Sequence, residues 1–316
     1  MTPSKEPLGP SNSLRAEIER LKEERNAVIL AHYYQDSEIQ DLADHLGDSL
    51  VLAQAAASTA ADVIVFCGVF FMAEMAKILS PDKTVLLPDL EAGCSLADDC
   101  PAEALEDFID RHPGHAVVSY INCSSEVKAL SDIICTSSNA ERVLASIPED
   151  TPVVFAPDRH LGGHLQKRTG RNMKIWHGAC EVHELFSKEA IASMQEEYPE
   201  ALLLAHPECE EAILERADHI GSTTSIIKAA VNGKAQQYLV ATEVGVIHQM
   251  KKLAPDKEYI PIPTHTGCVC NMCPHMRLNT LEKVHKALRD LEPEITMDEE
   301  LRLKALSPLE RMMALN

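Results

Sequence analysis

The chain states one α/β module three times, and this repetition constrains its fold more than any other feature. Apolar runs open at Val28-Ile29-Leu30-Ala31-His32, Val117-Val118-Ser119-Tyr120 and Leu202-Leu203-Leu204-Ala205-His206. Each reads as a buried parallel strand, because a strand covered on both faces is continuously apolar. Twelve residues past His32, Tyr120 and His206 comes an aspartate: Asp44, Asp132 and Asp218. Seventeen residues past the same three comes a hydroxyl: Ser49, Ser137 and Thr223. Two copies nearly coincide, Ala43-Asp44-His45-Leu46-Gly47 against Ala217-Asp218-His219-Ile220-Gly221. The last strand of each copy runs into Cys94, Cys180 or the group Cys268, Cys270 and Cys273. The expected fold class is α/β, with three repeated small parallel-sheet domains around a pseudo-threefold axis and a central site. The modules are placed at 14–99, 100–184 and 185–316, after a disordered tail at 1–13.

Within each copy, strands alternate with helices, which implies parallel sheets. Copy one offers a strand at 61–67, a helix at 71–79 stopped by Ser80-Pro81, and a strand at 84–87 leading to Gly93-Cys94. The counterparts in copy two are 152–156, a helix near 160–168, and 173–176 ahead of Gly178-Ala179-Cys180. Copy three offers 238–241, 246–253 and 259–262. Ahead of copy one, 13–25 reads as an amphipathic helix with Leu14, Ile18 and Leu21 as its apolar stripe and Ser13 as its cap. A helical segment at 298–315 is expected to pack across the modules.

Lys and Arg number 29 against 49 Asp and Glu, a formal net charge of −20. Such a surface repels nucleic acid and anionic membrane, so neither is an expected partner. Small anions remain acceptable, because backbone amides can hold them locally. The start of the chain lacks the apolar stretch of a signal peptide. The longest apolar run, 63–73, is far short of the ~20 residues that span a bilayer. A cytoplasmic enzyme is expected. No glycine-rich nucleotide fingerprint is present, so nucleotide cofactors are not expected.

The ten cysteines would form five disulfides only in an oxidising compartment. Most unpaired cysteines are small buried hydrophobes. Cys67 and Cys135, inside apolar runs, fit that description, and Cys100, Cys123 and Cys209 carry no stronger signal. Cys268-Val-Cys270-Asn-Met-Cys273 has metal or redox spacing. Flanking His265 and His275 make a Cys/His zinc site one reading. Thiols at the matching ends of all three copies favour another, a 4Fe-4S cluster with an open iron.

Ligands of open parallel sheets sit beyond the carboxyl ends of the strands. There the copies place His32-x-Tyr34, Tyr120-x-Asn122 and His206-x-Glu208. One such pair is ordinary strand-end polarity, whereas three in register point to a shared pocket. Ser49, Ser137 and Thr223 read singly as helix caps. In a shared pocket, the helix N-termini they open suit carboxylate or phosphate.

These stretches resemble the quinolinate synthase family, iron-sulfur enzymes of NAD biosynthesis. The resemblance is carried by Ala31-His32-Tyr33-Tyr34-Gln35, Gly47-Asp48-Ser49-Leu50, Met72-Ala73-Glu74-Met75-Ala76-Lys77-Ile78-Leu79 and Thr136-Ser137-Ser138. It continues through Trp176-His177-Gly178-Ala179-Cys180, His206-Pro207-Glu208, Gly221-Ser222-Thr223, Cys273-Pro274 and the tail at 308–312. It implies condensation of iminoaspartate with dihydroxyacetone phosphate to quinolinate, phosphate and water, with one 4Fe-4S cluster as Lewis acid. An L-aspartate oxidase or dehydrogenase would then supply the iminoaspartate. The implied cluster ligands are Cys94, Cys180 and Cys273; spacing alone leaves Cys268, Cys270 and Cys273 open, and the match before Pro274 selects Cys273. The family's late motif is often Cys-x-x-Cys-x-x-Cys, whereas here Gly267 precedes an additional Cys268. The implied proton carriers are Glu208 and Tyr34, with His206. The implied substrate contacts are His32, Ser49, Tyr120, Ile121, Asn122, Ser137, His206, Pro207, Glu208, Ser222 and Thr223. Two other readings are a reductive dehydroxylase of isoprenoid synthesis, which needs electron delivery, and an iron or redox sensor, which has no use for Glu208.

Overall fold

A computed structural model describes residues 10–265, 267–269 and 271–315. Of the expected disordered tail at 1–13, residues 1–9 lie outside the described residues, as does Cys270, while 10–13 are helical instead. The first helix, Pro10–Arg25, begins three residues before Ser13, so Ser13 is not its cap. Proline suits a first helical position, where an N–H would be unpaired anyway.

Three sheets of four parallel strands follow. The first holds β1 (Ala27–His32), β2 (His45–Gly47), β3 (Val63–Cys67) and β4 (Thr84–Leu86), in the order β2-β1-β3-β4. The second holds β5 (Ala116–Tyr120), β6 (Ile133–Cys135), β7 (Val153–Ala156) and β8 (Met173–Ile175), in the order β6-β5-β7-β8. The third holds β9 (Leu202–Ala205), β10 (His219–Ile220), β11 (Gln237–Ala241) and β12 (Glu258–Pro261), in the order β10-β9-β11-β12. All three orders are one topology, as the repeat requires. The central strands are buried over most of their length, consistent with their largely apolar sequence.

The repeated aspartates have one structural task. Asp44, Asp132 and Asp218 each accept a hydrogen bond from a backbone N–H of the first strand of their module, at Ile29, Val117 and Leu203, all at 2.8 Å. Each also returns its own N–H to the same residue's carbonyl, at 3.0, 2.9 and 2.9 Å. These bonds satisfy strand groups near the point where each edge strand begins, and so fix its register.

Modules one and two share a continuous apolar core that joins Leu30 and Phe66 to Val118 and Phe155. The helix Glu299–Ala314 extends that core through Ala305, Leu309 and Met312. It is pinned to module one by Arg302 Nη1 on the Ile78 carbonyl (3.2 Å) and to module two by Arg311 Nη1 on the Asp132 carbonyl (2.8 Å). The helix Leu281–Asp290 packs on module one, beside Ile18 and Leu21 of the first helix. The chain beyond Met276 therefore returns to modules one and two. The buried residues of module three's own two apolar clusters all lie between 186 and 262. Among the described residues no helix is long and apolar enough to cross a membrane.

Candidate active site

The carboxyl ends of the three first strands open on one cavity. It is lined by His32 and Tyr34 of module one, Tyr120 and Asn122 of module two, and His206 and Glu208 of module three. Ser49, Ser137 and Thr223 line it as well. Ser49 and Thr223 are the first residues of the helices Ser49–Ser58 and Thr223–Asn232. The caps are their predecessors: Asp48 accepts from Val51 N–H at 3.2 Å, and Ser222 from Ser225 N–H at 3.3 Å. The hydroxyls are thus spared from capping. Ser137 lies in a turn held by Asn139 Oδ1, which accepts from Thr136 N–H (2.7 Å) and Thr136 Oγ1 (3.1 Å).

Three expected contacts lie elsewhere. Ile121 is fully buried in the core of modules one and two. Pro207 borders a separate hollow, and Ser222 is occupied as a helix cap.

Copies one and three repeat a local device. Tyr34 N–H donates to His32 Nδ1 (3.2 Å), and Glu208 N–H donates to His206 Nδ1 (3.4 Å). Burial pushes both rings down to about 4, so they are neutral at pH 7. With Nδ1 accepting, the ring proton resides on Nε2 in both.

Glu208 is buried and held by three neighbours. His183 Nδ1 lies 2.8 Å from its Oε2, and the Tyr120 phenol bonds to the same carboxyl group. Burial opposes its ionisation, but the hydrogen bonds from His183 and Tyr120 favour the anion, and Glu208 lies below the usual carboxylate range. Burial, with the Glu208 charge added, holds the Tyr34 and Tyr120 phenols well above theirs.

A hydrogen-bonded chain links these groups. Thr223 Oγ1 lies 3.3 Å from the Tyr34 hydroxyl, which is 2.9 Å from Thr242 Oγ1, which is 3.0 Å from His183 Nε2. Anionic Glu208 only accepts, so His183 donates to it through Nδ1. Thr242 Oγ1 bridges the other ring nitrogen of His183 to the Tyr34 hydroxyl. His183 and Thr242 escaped the sequence reading. The available signals were the three-residue step from Cys180 to His183, and the place of Thr242 directly after β11 at a strand's carboxyl end.

Cys94, Cys180 and Cys273 line the same cavity, one following the last strand of each module. The other described free cysteines, Cys67, Cys100, Cys123, Cys135 and Cys209, are buried and do not line it. Burial pushes the three lining thiols up, Cys273 to about 11 and the other two further. Of the two flanking histidines, His265 bonds the Leu185 carbonyl at the surface (3.2 Å), and His275, which lines the cavity, sits 3.4 Å from Glu181. Cys180, His183 and Glu208 offer ligand atoms within 4.8 Å of one another. The 2.8 Å hydrogen bond between His183 and Glu208 explains that closeness without an ion.

The polar cavity also holds an orphan. Asn122 Oδ1 is buried with no hydrogen-bond partner among the described residues. A buried acceptor left open in a pocket is a place for a ligand's donor.

Comparison with known proteins agrees with this arrangement. The NadA family, described as quinolinate synthetase A protein, matches residues 16–314. The quinolinate synthase of Gloeothece citriformis is 55% identical over 99% of this chain and 98% of its own length. That of Rippkaea orientalis is 56% identical over 100% of this chain and 97% of its own, and that of Synechocystis sp. is 56% identical over 95% and 94%. Likeness of this extent runs through all three modules and the cavity between them, and by it the chain belongs to the quinolinate synthase family.

Proposed function

We propose that the chain condenses iminoaspartate with dihydroxyacetone phosphate to quinolinate, phosphate and water, around one 4Fe-4S cluster held by Cys94, Cys180 and Cys273. The carrying observation is that one thiol from each module lines the cavity that also holds Glu208, Tyr34 and the open Asn122 acceptor. The donor set fits. A four-iron cluster spreads its thiolates over separate irons, so three sulfurs around one cavity suit it better than a single ion. When bound, such a cluster supplies an iron lacking a protein ligand, a Lewis acid toward a substrate oxygen or nitrogen.

The chain's own residues supply binding and proton movement. Ser49 and Thr223, with the free N–H groups of the helices they open, receive carboxylate or phosphate oxygens, joined by Ser137. Asn122 accepts from a substrate N–H or O–H. Glu208, ionised at neutral pH, takes the proton lost in tautomerisation. The Tyr34 phenol, protonated and linked to Glu208 through Thr242 and His183, gives a proton to the departing hydroxyl. Eight cysteines are free among the described residues, which suits the reducing cytoplasm that this role implies.

The test is anaerobic reconstitution with iron and sulfide, followed by metal analysis and quinolinate assay. Wild type should hold four irons and form product. Cys94→Ala, Cys180→Ala and Cys273→Ala should each lose both, while Cys67→Ala and Cys209→Ala keep the cluster. Full iron in Cys180→Ala would overturn the ligand assignment. One zinc per chain without sulfide would favour a single ion at Cys180, His183 and Glu208.

A further inference from the structure

We infer that Glu243 is a positioning residue that sets the Cys273 thiol in place, and that it does so through a latch also fixing the loop of Tyr34. The inference rests on the proposed ligand role of Cys273. Glu243 follows Thr242 directly after β11, and its side chain is completely buried. Its carboxylate meets only donors: Arg277 Nη2 at 2.8 Å, Gly245 N–H at 2.5 Å and Cys273 N–H at 3.4 Å. Arg277 reaches on to Asp36, in the loop that follows β1 and carries Tyr34. The carboxylate of module three, the guanidinium beyond Cys273 and the carboxylate of module one thus form one cross-module chain.

Neighbouring contacts tighten the same point. Val244 N–H donates to the Asn271 carbonyl (3.1 Å), and Asn271 Nδ2 donates to the Val182 carbonyl (2.9 Å), two residues past Cys180. Buried Gln40 donates to the carbonyls of Tyr33 (2.8 Å), Gln35 (2.9 Å) and Gly245 (3.0 Å). A Cβ on Gly245 would come within 2.7 Å of both Glu243 Oε2 and the Tyr33 carbonyl. Since Gly245 has an ordinary φ of −56°, closeness of approach, and not backbone conformation, calls for glycine there.

A buried ion pair is a poor device for stability, because desolvation offsets its attraction. Its use here is geometric. It forces the Cys273 backbone N–H, Arg277 and the turn at Gly245 to share one small acceptor group. Thr242, the preceding residue, bonds Tyr34 on one side while Glu243 bonds Cys273 on the other. The segment after β11 therefore places a cluster ligand and a proton carrier together.

The decisive variant is Glu243→Gln, which fills the same space. Its amide must turn an N–H toward Gly245 or toward Cys273 and Arg277, all of them donors. The reconstituted holoprotein should release iron to a chelator faster than wild type by about 10–100-fold, the scale of a lost outer-shell partner. The cluster-free protein should still fold, with a lowered melting temperature because Arg277 and the Gly245 N–H lose their buried acceptor. Gly245→Ala leaves both charges in place but displaces them, and should speed release in the same direction. Asp36→Asn, at the exposed end of the latch, should have a smaller effect. Wild-type release rates in folded Glu243→Gln and Gly245→Ala, with Cys273→Ala still unable to hold iron, would overturn this inference and leave the ligand assignment standing. A cluster-free Glu243→Gln protein that fails to fold would assign Glu243 to folding and overturn it as well. Wild type that takes up no iron would overturn both.

Discussion

Glu208, Tyr34 and Asn122 occupy the same position in the three modules, yet each has a different chemistry. Glu208 is a buried anion that accepts from His183 and Tyr120, whereas Tyr34 is a protonated phenol linked to it through Thr242 and His183. Glu208→Gln keeps the shape but cannot take a proton. Cluster-loaded Glu208→Gln should therefore form quinolinate about 100-fold or more slowly. Thr242→Val, which breaks the link to Tyr34, should slow turnover in the same sense with unchanged iron content. Near-normal rates in both would leave His206 as the proton carrier. His32 and His206 carry a different consequence. Below about 6.5 their unfolded forms take up protons, whereas in the folded chain burial delays this to about 4. The unfolded state then binds more protons, so stability falls as pH drops through that window, by at most roughly 3 kcal/mol per ring. Melting temperatures of cluster-free protein at pH 7 and pH 5 should show this fall, and His206→Asn should flatten it. A slope identical to wild type would mean that His206 is protonated in the fold.

At the scale of elements, the repeat separates structure from function along one stretch of chain. The residue twelve past each strand end serves the strand, and the residue seventeen past faces the cavity. Asp132→Ala should cost about 1–3 kcal/mol by stranding the Val117 N–H, with unchanged substrate Michaelis constants in what remains folded. Ser137→Ala should raise those constants and leave the melting temperature nearly unmoved. A reversal of the two outcomes would exchange their roles. Much of this level was legible in the sequence. β3, β7 and β11 stand within two residues of their predicted starts, and the helix Val246–Leu253 has its predicted bounds, because buried strands and proline-stopped helices leave strong local patterns. The capping of Ser222 and Asp48 was not legible, since a run of neighbouring oxygens in sequence does not reveal which one turns toward the helix. Nor were His183 and Thr242, whose partners lie 59 and 208 residues away along the chain and meet only after the modules assemble. Position within a repeat identifies equivalent places but says nothing of contacts between copies.

For the whole molecule, the modules are joined unequally. One and two share an apolar core sealed by the helix Glu299–Ala314, while the buried residues of module three form clusters of their own, touched from module one by Tyr33 and Tyr34. Its docking to module one includes Arg277 with Asp36, Gln40 with Gly245, and Asp41 with His248 and Lys252. A metal centre bound by one thiol of each module would add to this union. Loading the cluster should therefore raise the melting temperature through binding linkage, and Cys180→Ala should abolish that rise. An equal rise in Cys180→Ala would place the stabilising metal elsewhere. The shared strand order has one more implication. Three separate copies of a single module could build a ring of the same shape, but all three corners of its cavity would be identical. Joined in one chain, the corners are free to diverge, and here one offers a phenol, one an amide and one a carboxylate. Covalent union fixes one of each at a single cavity, an arrangement that identical separate copies could not reach.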